Sequence, residues 1–306
     1  MFSQSVQPSP RFAGSYTALI TPFRNGEIDE PGLRRLVDFQ IEGGISGLVP
    51  CGTTGEAATM TIAEHNHAVD IVVDQAAGRI PVIAGTGSND TQCAIEHTVH
   101  AARSGADAAL VVVPYYNKST QEGMYRHFAA VAEATNLPIV LYNVPGRTGV
   151  NLAPETVLRL AEDIRTIVGI KEASGSFDQV SQIAIGAPDG FSILSGDDSL
   201  TLPIMSVGGH GVISVVANIV PDAVSELVSF VLRGDFAAAR ASHQLLFDLC
   251  RAMFLENNPT AVKTAAQMLG LCSGELRLPL TELSDTSRHK LTDALLDWGF
   301  EELAAA

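Results

Sequence analysis

Residues 106–145, ADAALVVVPYYNKSTQEGMYRHFAAVAEATNLPIVLYNVP, contain one full period of the pattern that decides the fold. An apolar run, Ala108–Val113, stops at Pro114. An amphipathic helical stretch covers Glu122–Thr135, and a second apolar run follows at Pro138–Tyr142. Both runs are apolar at consecutive positions, the mark of strands buried on both faces.

The same unit repeats in both directions. Upstream runs fall near Tyr16–Ile20, Gly47–Pro50 and Ile80–Ala84, and downstream ones near Ile167–Ile170, Phe191–Leu194 and Gly211–Val215, which makes eight in all. Helical patterns lie between them. Pro31–Glu42 puts Leu33, Leu36, Val37 and Ile41 on one stripe, and Ile62–Ala76 does so with Val69, Val72 and Val73. Thr91–Ser104 and Pro154–Glu162 follow, and Gly43-Gly44, Gly78 and Gly105 supply helix stops. Eight alternations in about 230 residues predict a (β/α)8 TIM barrel of the α/β class. The alternative is an open doubly wound sheet, which often carries a Gly-rich fingerprint after its first strand. Here Thr21-Pro22-Phe23 stands at that place.

After about Gly234 the rhythm changes. Helix patterns at Phe236–Leu255, Pro259–Leu269 and Thr286–Trp298 succeed one another with no strand between them. The chain therefore divides into an N-terminal arm (1–13), a barrel (14–235) and a small C-terminal helical domain (236–306). The polar first 14 residues do not read as a secretory signal. Residues 199–221 carry no Asp, Glu, Lys or Arg, enough to span a bilayer, but Pro203 and Gly208-Gly209-His210-Gly211 interrupt them. A buried strand with flanking turns is expected there.

Composition narrows the function. The 306 residues carry a net charge of −15, against the cationic surface that nucleic acid or an anionic membrane requires. Cys51, Cys93, Cys250 and Cys272 are far apart and form no C-x-x-C pair, so neither a zinc site nor a disulfide framework is expected, and a cytoplasmic protein is. Only four residues are lysines: Lys118, Lys171, Lys263 and Lys290.

A barrel builds its site at the C-terminal ends of its strands. Lys171 ends the run Thr166-Ile167-Val168-Gly169-Ile170 and so stands at the mouth. Poor solvation disfavours the charged form of an amine, and an uncharged amine can form a Schiff base with a ketone. The alternative is a lysine that snorkels to solvent or pairs with Glu172. The other three lysines fall in a loop or on helices, with no comparable apolar setting expected. Thr53-Thr54 in a Gly-flanked turn offers hydroxyls and backbone N–H groups to a small carboxylate, or else caps the next helix. Tyr142 ends its strand, where a phenol can relay a proton, or serves as a rim aromatic. Arg147, in a flexible loop after Pro145-Gly146, suits a second carboxylate or is a surface arginine. His65-Asn66-His67 falls mid-helix and reads as core or surface histidine rather than metal ligand. Gly85-Thr86-Gly87 lacks the lysine of a phosphate loop.

Taken in order, Gly52-Thr53-Thr54-Gly55-Glu56, Pro114-Tyr115-Tyr116-Asn117, Tyr142-Asn143-Val144-Pro145, Gly146-Arg147-Thr148-Gly149, Ile170-Lys171-Glu172-Ala173, Ser195-Gly196-Asp197-Asp198 and Gly208-Gly209-His210-Gly211-Val212-Ile213-Ser214 resemble the dihydrodipicolinate synthase/N-acetylneuraminate lyase family of pyruvate-dependent class I aldolases. The double threonine, the paired tyrosines and Arg147 resemble its synthase branch. That resemblance implies condensation of pyruvate with aspartate 4-semialdehyde to 4-hydroxy-tetrahydrodipicolinate in lysine and diaminopimelate biosynthesis. It implies Lys171 as the Schiff-base residue and Tyr142 as proton donor and acceptor. Thr53 and Tyr116 would complete the relay, Tyr116 reaching over from a neighbouring subunit. Thr54, Gly55, Gly196 and Ile213 would hold pyruvate, and Arg147 the semialdehyde carboxylate. It further implies a homotetramer of tight dimers, with no metal or organic cofactor. Another pyruvate-dependent aldolase, acting on a sugar acid or hydroxy-oxo acid, is the alternative activity, and a catalytically idle binding barrel a third. The chain keeps Tyr115, His65 and Asn89 of the family's lysine-feedback site. It has Cys93 where lysine-sensitive members commonly have Glu, and Ile62 where they often have His, which implies weak feedback.

Overall fold

The computed structural model describes residues 10–301 and 303. Most of the expected 1–13 arm, and the Ala-rich end, lie outside the described residues. Eight strands form one parallel sheet: β1 (Gly14–Ala18), β2 (Gly47–Val49), β3 (Ile83–Gly85), β4 (Ala108–Val112), β5 (Ile139–Asn143), β6 (Ile167–Glu172), β7 (Ser192–Ser195) and β8 (Gly211–Ser214). Each pairs with its neighbour in chain order, β8 returns to β1, and a parallel bridge between Leu48 and Val82 links β2 to the start of β3. This is the (β/α)8 barrel that the repeat predicts.

Strand alternation sorts the side chains into two layers. Tyr16, Val49, Ile83, Leu110, Val140, Tyr142, Leu194 and Ile213 fill the interior. Phe12 closes its lower end, packed edge-on against Tyr16, with its N–H donating to Ser192 Oγ. Leu48, Leu141, Ile170 and Ile193 face the helices instead. The strands are apolar throughout because both faces are covered.

The surrounding helices start where the sequence offers caps. α1 (Glu30–Glu42) is capped by Asp29. α2 (Ile62–Ala76) opens with a capping box in which Thr61 and Glu64 satisfy each other's backbone N–H groups. α3 (Thr91–Ser104) is capped by Asp90 and stopped by Gly105 in the left-handed region, and α4 spans Gln121–Glu133. Then come α5 (Pro145–Thr148), α6 (Pro154–Asp163), α7 (Phe177–Gly186), α8 (Thr201–Ser206), α9 (Pro221–Leu232), α10 (Phe236–Ala252), α11 (Thr260–Met268) and α12 (Asp285–Trp298).

Three details depart from the sequence reading. Residues 145–148, expected as flexible loop, form a one-turn helix: Pro145 presets its first position, and Gly149 leaves it with φ 74°. The uncharged 199–221 stretch holds β8, but also α8, in which Pro203 sits in the first turn, where backbone N–H groups need no partner. A hairpin, Phe23–Arg24 against Glu27–Ile28, was not expected. Its signal was the Asn25-Gly26 pair, whose positive φ values suit a tight turn. None of the described helices is long and apolar enough to cross a membrane.

The buried faces of α10, α11 and α12 join the same hydrophobic cluster as the helix-facing side of the barrel. Most of α11 is buried, with Ala261, Val262, Ala265 and Ala266 inaccessible. These helices are thus in position to reach the mouth of the barrel.

Candidate active site

β5 and β6 pair with Tyr142 opposite Lys171 and Asn143 opposite Glu172. Side chains alternate across a strand, so the first pair points into the barrel and the second outward. Lys171 is 6% exposed, and its Nζ lies 4.4 Å from the centre of the Tyr142 ring. It does not snorkel to solvent. Nor does it pair with Glu172, whose carboxylate accepts from Asn143 Nδ2 (3.2 Å), Gln179 Nε2 (2.8 Å) and the Ser174 N–H (2.7 Å) on the outer face. Asn143 Oδ1 in turn accepts from the Leu152 N–H, tying these strand ends to the segment that follows α5.

Gly196, at the end of β7, closes over the same amine. A Cβ at this position would stand 2.6 Å from Ala173 Cβ, which would have to move, and 3.1 Å from Lys171 Cε, which it would crowd. Ile213 is fully buried on β8, in register with Tyr16.

A cleft of about 420 Å3 opens at this end of the barrel, lined by Thr53, Tyr142, Val144 and Arg147, among others. Arg147 reaches it from α5. The cleft continues past Ile62, His65, Cys93, His97 and Tyr115, and none of its lining residues is Asp or Glu. Such a surface favours a small anion. Lys171, Thr54, Gly55, Gly196 and Ile213 do not themselves line it; Tyr142 connects the amine to it.

The Thr53-Thr54 turn caps no helix, because Thr61 caps α2. Thr54 is buried, and its Oγ1 accepts from Asn258 Nδ2 at 3.0 Å. Tyr116 is 88% exposed, with φ 70°, and does not itself line the cleft. Thr53 and Tyr142 share the cleft wall, but no hydrogen bond joins Thr53, Tyr142 and Tyr116 among the described residues of the single chain.

Contrary to expectation, a helical lysine is more deeply buried than Lys171. Lys263 has an apolar setting more enclosed than that of Lys171: its side chain is 0% exposed, with Nζ 4.4 Å from the Phe23 ring centre. Burial pushes this amine below its ordinary value, against the opposing pull of Glu56. A helical pattern does not reveal which lysine its neighbours enclose. Chemistry still separates the two. Both amines lie against an aromatic ring, but Lys263 is held by the Glu56 carboxylate at 2.6 Å, whereas no carboxylate among the described residues pairs with Lys171.

His65 is buried, bonded through Nε2 to the Gly85 carbonyl and stacked on His97 at 3.8 Å, while His67 points to solvent. No cluster of three or more His, Cys, Asp or Glu among the described residues could hold a metal ion. At Gly85 and Gly87 a Cβ would collide with the backbones of Cys51 and Val112, so the glycines serve close packing.

The model of the Dihydrodipicolinate synthetase family matches residues 11–297. The chain belongs to that family. It is 55% identical over 282 residues to the 4-hydroxy-tetrahydrodipicolinate synthase of Thermomicrobium roseum, covering 92% of this chain and 93% of that one. The crystal structure of dihydrodipicolinate synthase from Aquifex aeolicus superposes with a TM-score of 0.94 at 48% identity, covering 95% of this chain and 99% of the other. A chloride-inhibited dihydrodipicolinate synthase from Acinetobacter baumannii, solved in complex with pyruvate, gives a TM-score of 0.91 at 44% identity, covering 94% and 99%. The family frame accounts for the motif order along the barrel. Asn258, Lys263 and Gln179, which touch the motif residues, carried no sequence signal of their own; Asn143 and Glu172 were visible only as motif neighbours of Tyr142 and Lys171.

Proposed function

We propose that this member of the family condenses pyruvate with aspartate 4-semialdehyde through a Schiff base on Lys171, giving 4-hydroxy-tetrahydrodipicolinate for lysine and diaminopimelate biosynthesis. The observation that carries this reading is the buried Lys171 amine at the barrel mouth, against Tyr142 and under Gly196.

The Lys171 amine attacks C2 of pyruvate, and the carbinolamine loses water to give the imine. Loss of a C3 proton gives the enamine, which attacks the aldehyde carbon of the semialdehyde. Tyr142 supplies the proton that the new alkoxide takes up and accepts one in the earlier steps, relayed by Thr53 and a neighbouring subunit's tyrosine at position 116. The amine of the second substrate then attacks the imine carbon, closing the ring and releasing Lys171. Thr54 and the Gly55 turn hold the pyruvate carboxylate, with Gly196 and Ile213 lining its pocket. Arg147 grips the carboxylate of the semialdehyde in two-pronged fashion. The acid-free cleft supports small anionic substrates in a protein whose overall charge repels them. No metal or organic cofactor enters these steps.

The exposed, left-handed Tyr116 supports an assembly, read here as a tetramer of tight dimers. The free cysteines support a cytoplasmic setting. Residues 14–235 are read as the catalytic barrel and 236–306 as a helical domain. A coupled assay supplying pyruvate and aspartate 4-semialdehyde tests the activity. Robust turnover is expected; cleavage of a hydroxy-oxo acid without semialdehyde turnover would contradict it.

A further inference from the structure

The turn that carries Thr53 and Thr54 is held from outside the barrel strands. Cys51 (φ 54°) and Glu56 (φ 57°) bracket it, both in the left-handed region although neither is glycine. Such backbone persists only where its surroundings over-determine it. Thr21 Oγ1 donates to the Gly55 carbonyl at 2.8 Å, and Asn258 Nδ2 to Thr54 Oγ1. The Glu56 carboxylate takes Lys263 Nζ on one oxygen at 2.6 Å and the Arg277 N–H on the other at 3.2 Å. Lys263 also donates to the Glu275 carbonyl at 2.6 Å, and the Glu275 carboxylate is gripped by the N–H groups of Asn25 and Gly26 at the hairpin tip.

Both partners of the Lys263–Glu56 pair are wholly buried. Taking two charges out of water offsets most of their attraction, and well-packed apolar residues of the same volume often serve stability as well. What the pair supplies beyond an apolar contact is a fixed geometry, at the residue that ends the anion-binding turn.

We propose that Lys263 is a positioning residue for this turn: with the Arg277 N–H it fixes the Glu56 carboxylate, and thereby the backbone carrying Thr53 and Thr54, so that the C-terminal helices set the affinity for the keto acid. This rests on reading Thr54 as the pyruvate carboxylate ligand. Lys263 does not touch substrate and takes no part in the covalent steps.

The test uses the full-length double variant Lys263→Met/Glu56→Gln, which removes both charges and leaves no lone buried ion. The KM for pyruvate is expected to rise on the order of tenfold, with the KM for the semialdehyde within about twofold and the assembly unchanged by light scattering. A lowered Tm with both KM values at the wild-type level would make the pair purely structural and overturn the proposal. Should the double variant not fold, Lys263→Arg, which keeps both charges and alters only the geometry of the pair, is read; a rise of about threefold in the pyruvate KM is expected, and a wild-type value overturns the proposal. Thr54→Val separates the two failures. If it leaves the pyruvate KM unchanged, the reading of the turn falls. If it raises that KM while the Lys263 variants do not, only the role of Lys263 falls.

Discussion

Lys171 Nζ lies 4.4 Å from the centre of the Tyr142 ring, on adjacent strands whose register places the two residues side by side. The phenol that would move protons is thus built into the wall against which the imine would form. Replacing Tyr142 by Phe keeps that wall and removes the proton. We expect kcat to fall about 10²- to 10⁴-fold, the range for a lost general acid–base group, with pyruvate still forming its adduct. Steady-state kinetics combined with adduct trapping checks this; a kcat within about twofold of wild type would remove Tyr142 from the mechanism.

Arg147 is exposed at the cleft on a one-turn helix. A hydrogen bond to a charged group contributes about 1.5–3 kcal/mol. Arg147→Ala should therefore raise the KM for the semialdehyde about 10- to 100-fold and spare the pyruvate adduct. An unchanged semialdehyde KM would reassign the arginine to the surface.

Lysine should inhibit weakly. A bound ammonium group needs a carboxylate partner, and the cleft past Ile62, His65 and Cys93 is lined by no Asp or Glu. A lysine titration of the coupled assay checks it: half-inhibition at micromolar concentrations would contradict this reading of the cleft.

Acid should destabilise the fold through two histidines. Burial pushes His65 down to about 4, with His97 adding to the shift, and burial likewise pushes His127 to about 4. The unfolded chain binds these protons near the ordinary value of about 6.5, so it takes up more protons than the native state between pH 6.5 and 4. Stability is therefore present above 6.5 and lost as pH falls through that window. Denaturant melts across it should show a falling free energy of unfolding. The slope should be shallower in His127→Phe, and an identical slope would exclude His127 as a contributor.

Much of this was legible in the sequence, for identifiable reasons. Consecutive apolar runs gave the strands, and helical periodicity with the stops at Gly78 and Gly105 gave α2 and α3; the Thr61 and Asp90 caps emerged only in the structure. Lys171 stood out because strand ends meet the mouth of a barrel. The pairing of Lys263 with Glu56, 207 residues away, was not legible, because helical periodicity says nothing of a distant carboxylate. Nor was the Glu172 network, since alternation of side chains across β6 becomes visible only once the inner and outer faces are assigned. The one-turn helix under Arg147 was written in Pro145 and Gly149, but four residues carry no periodicity.

Of the two buried lysines, Lys171 should be the amine that captures the keto acid. Incubation with pyruvate and borohydride, followed by intact-mass analysis and peptide mapping, tests it directly. A single reduced pyruvyl group per chain is expected, located on Lys171 and absent from Lys171→Ala. No adduct, or an adduct on Lys263, would contradict it.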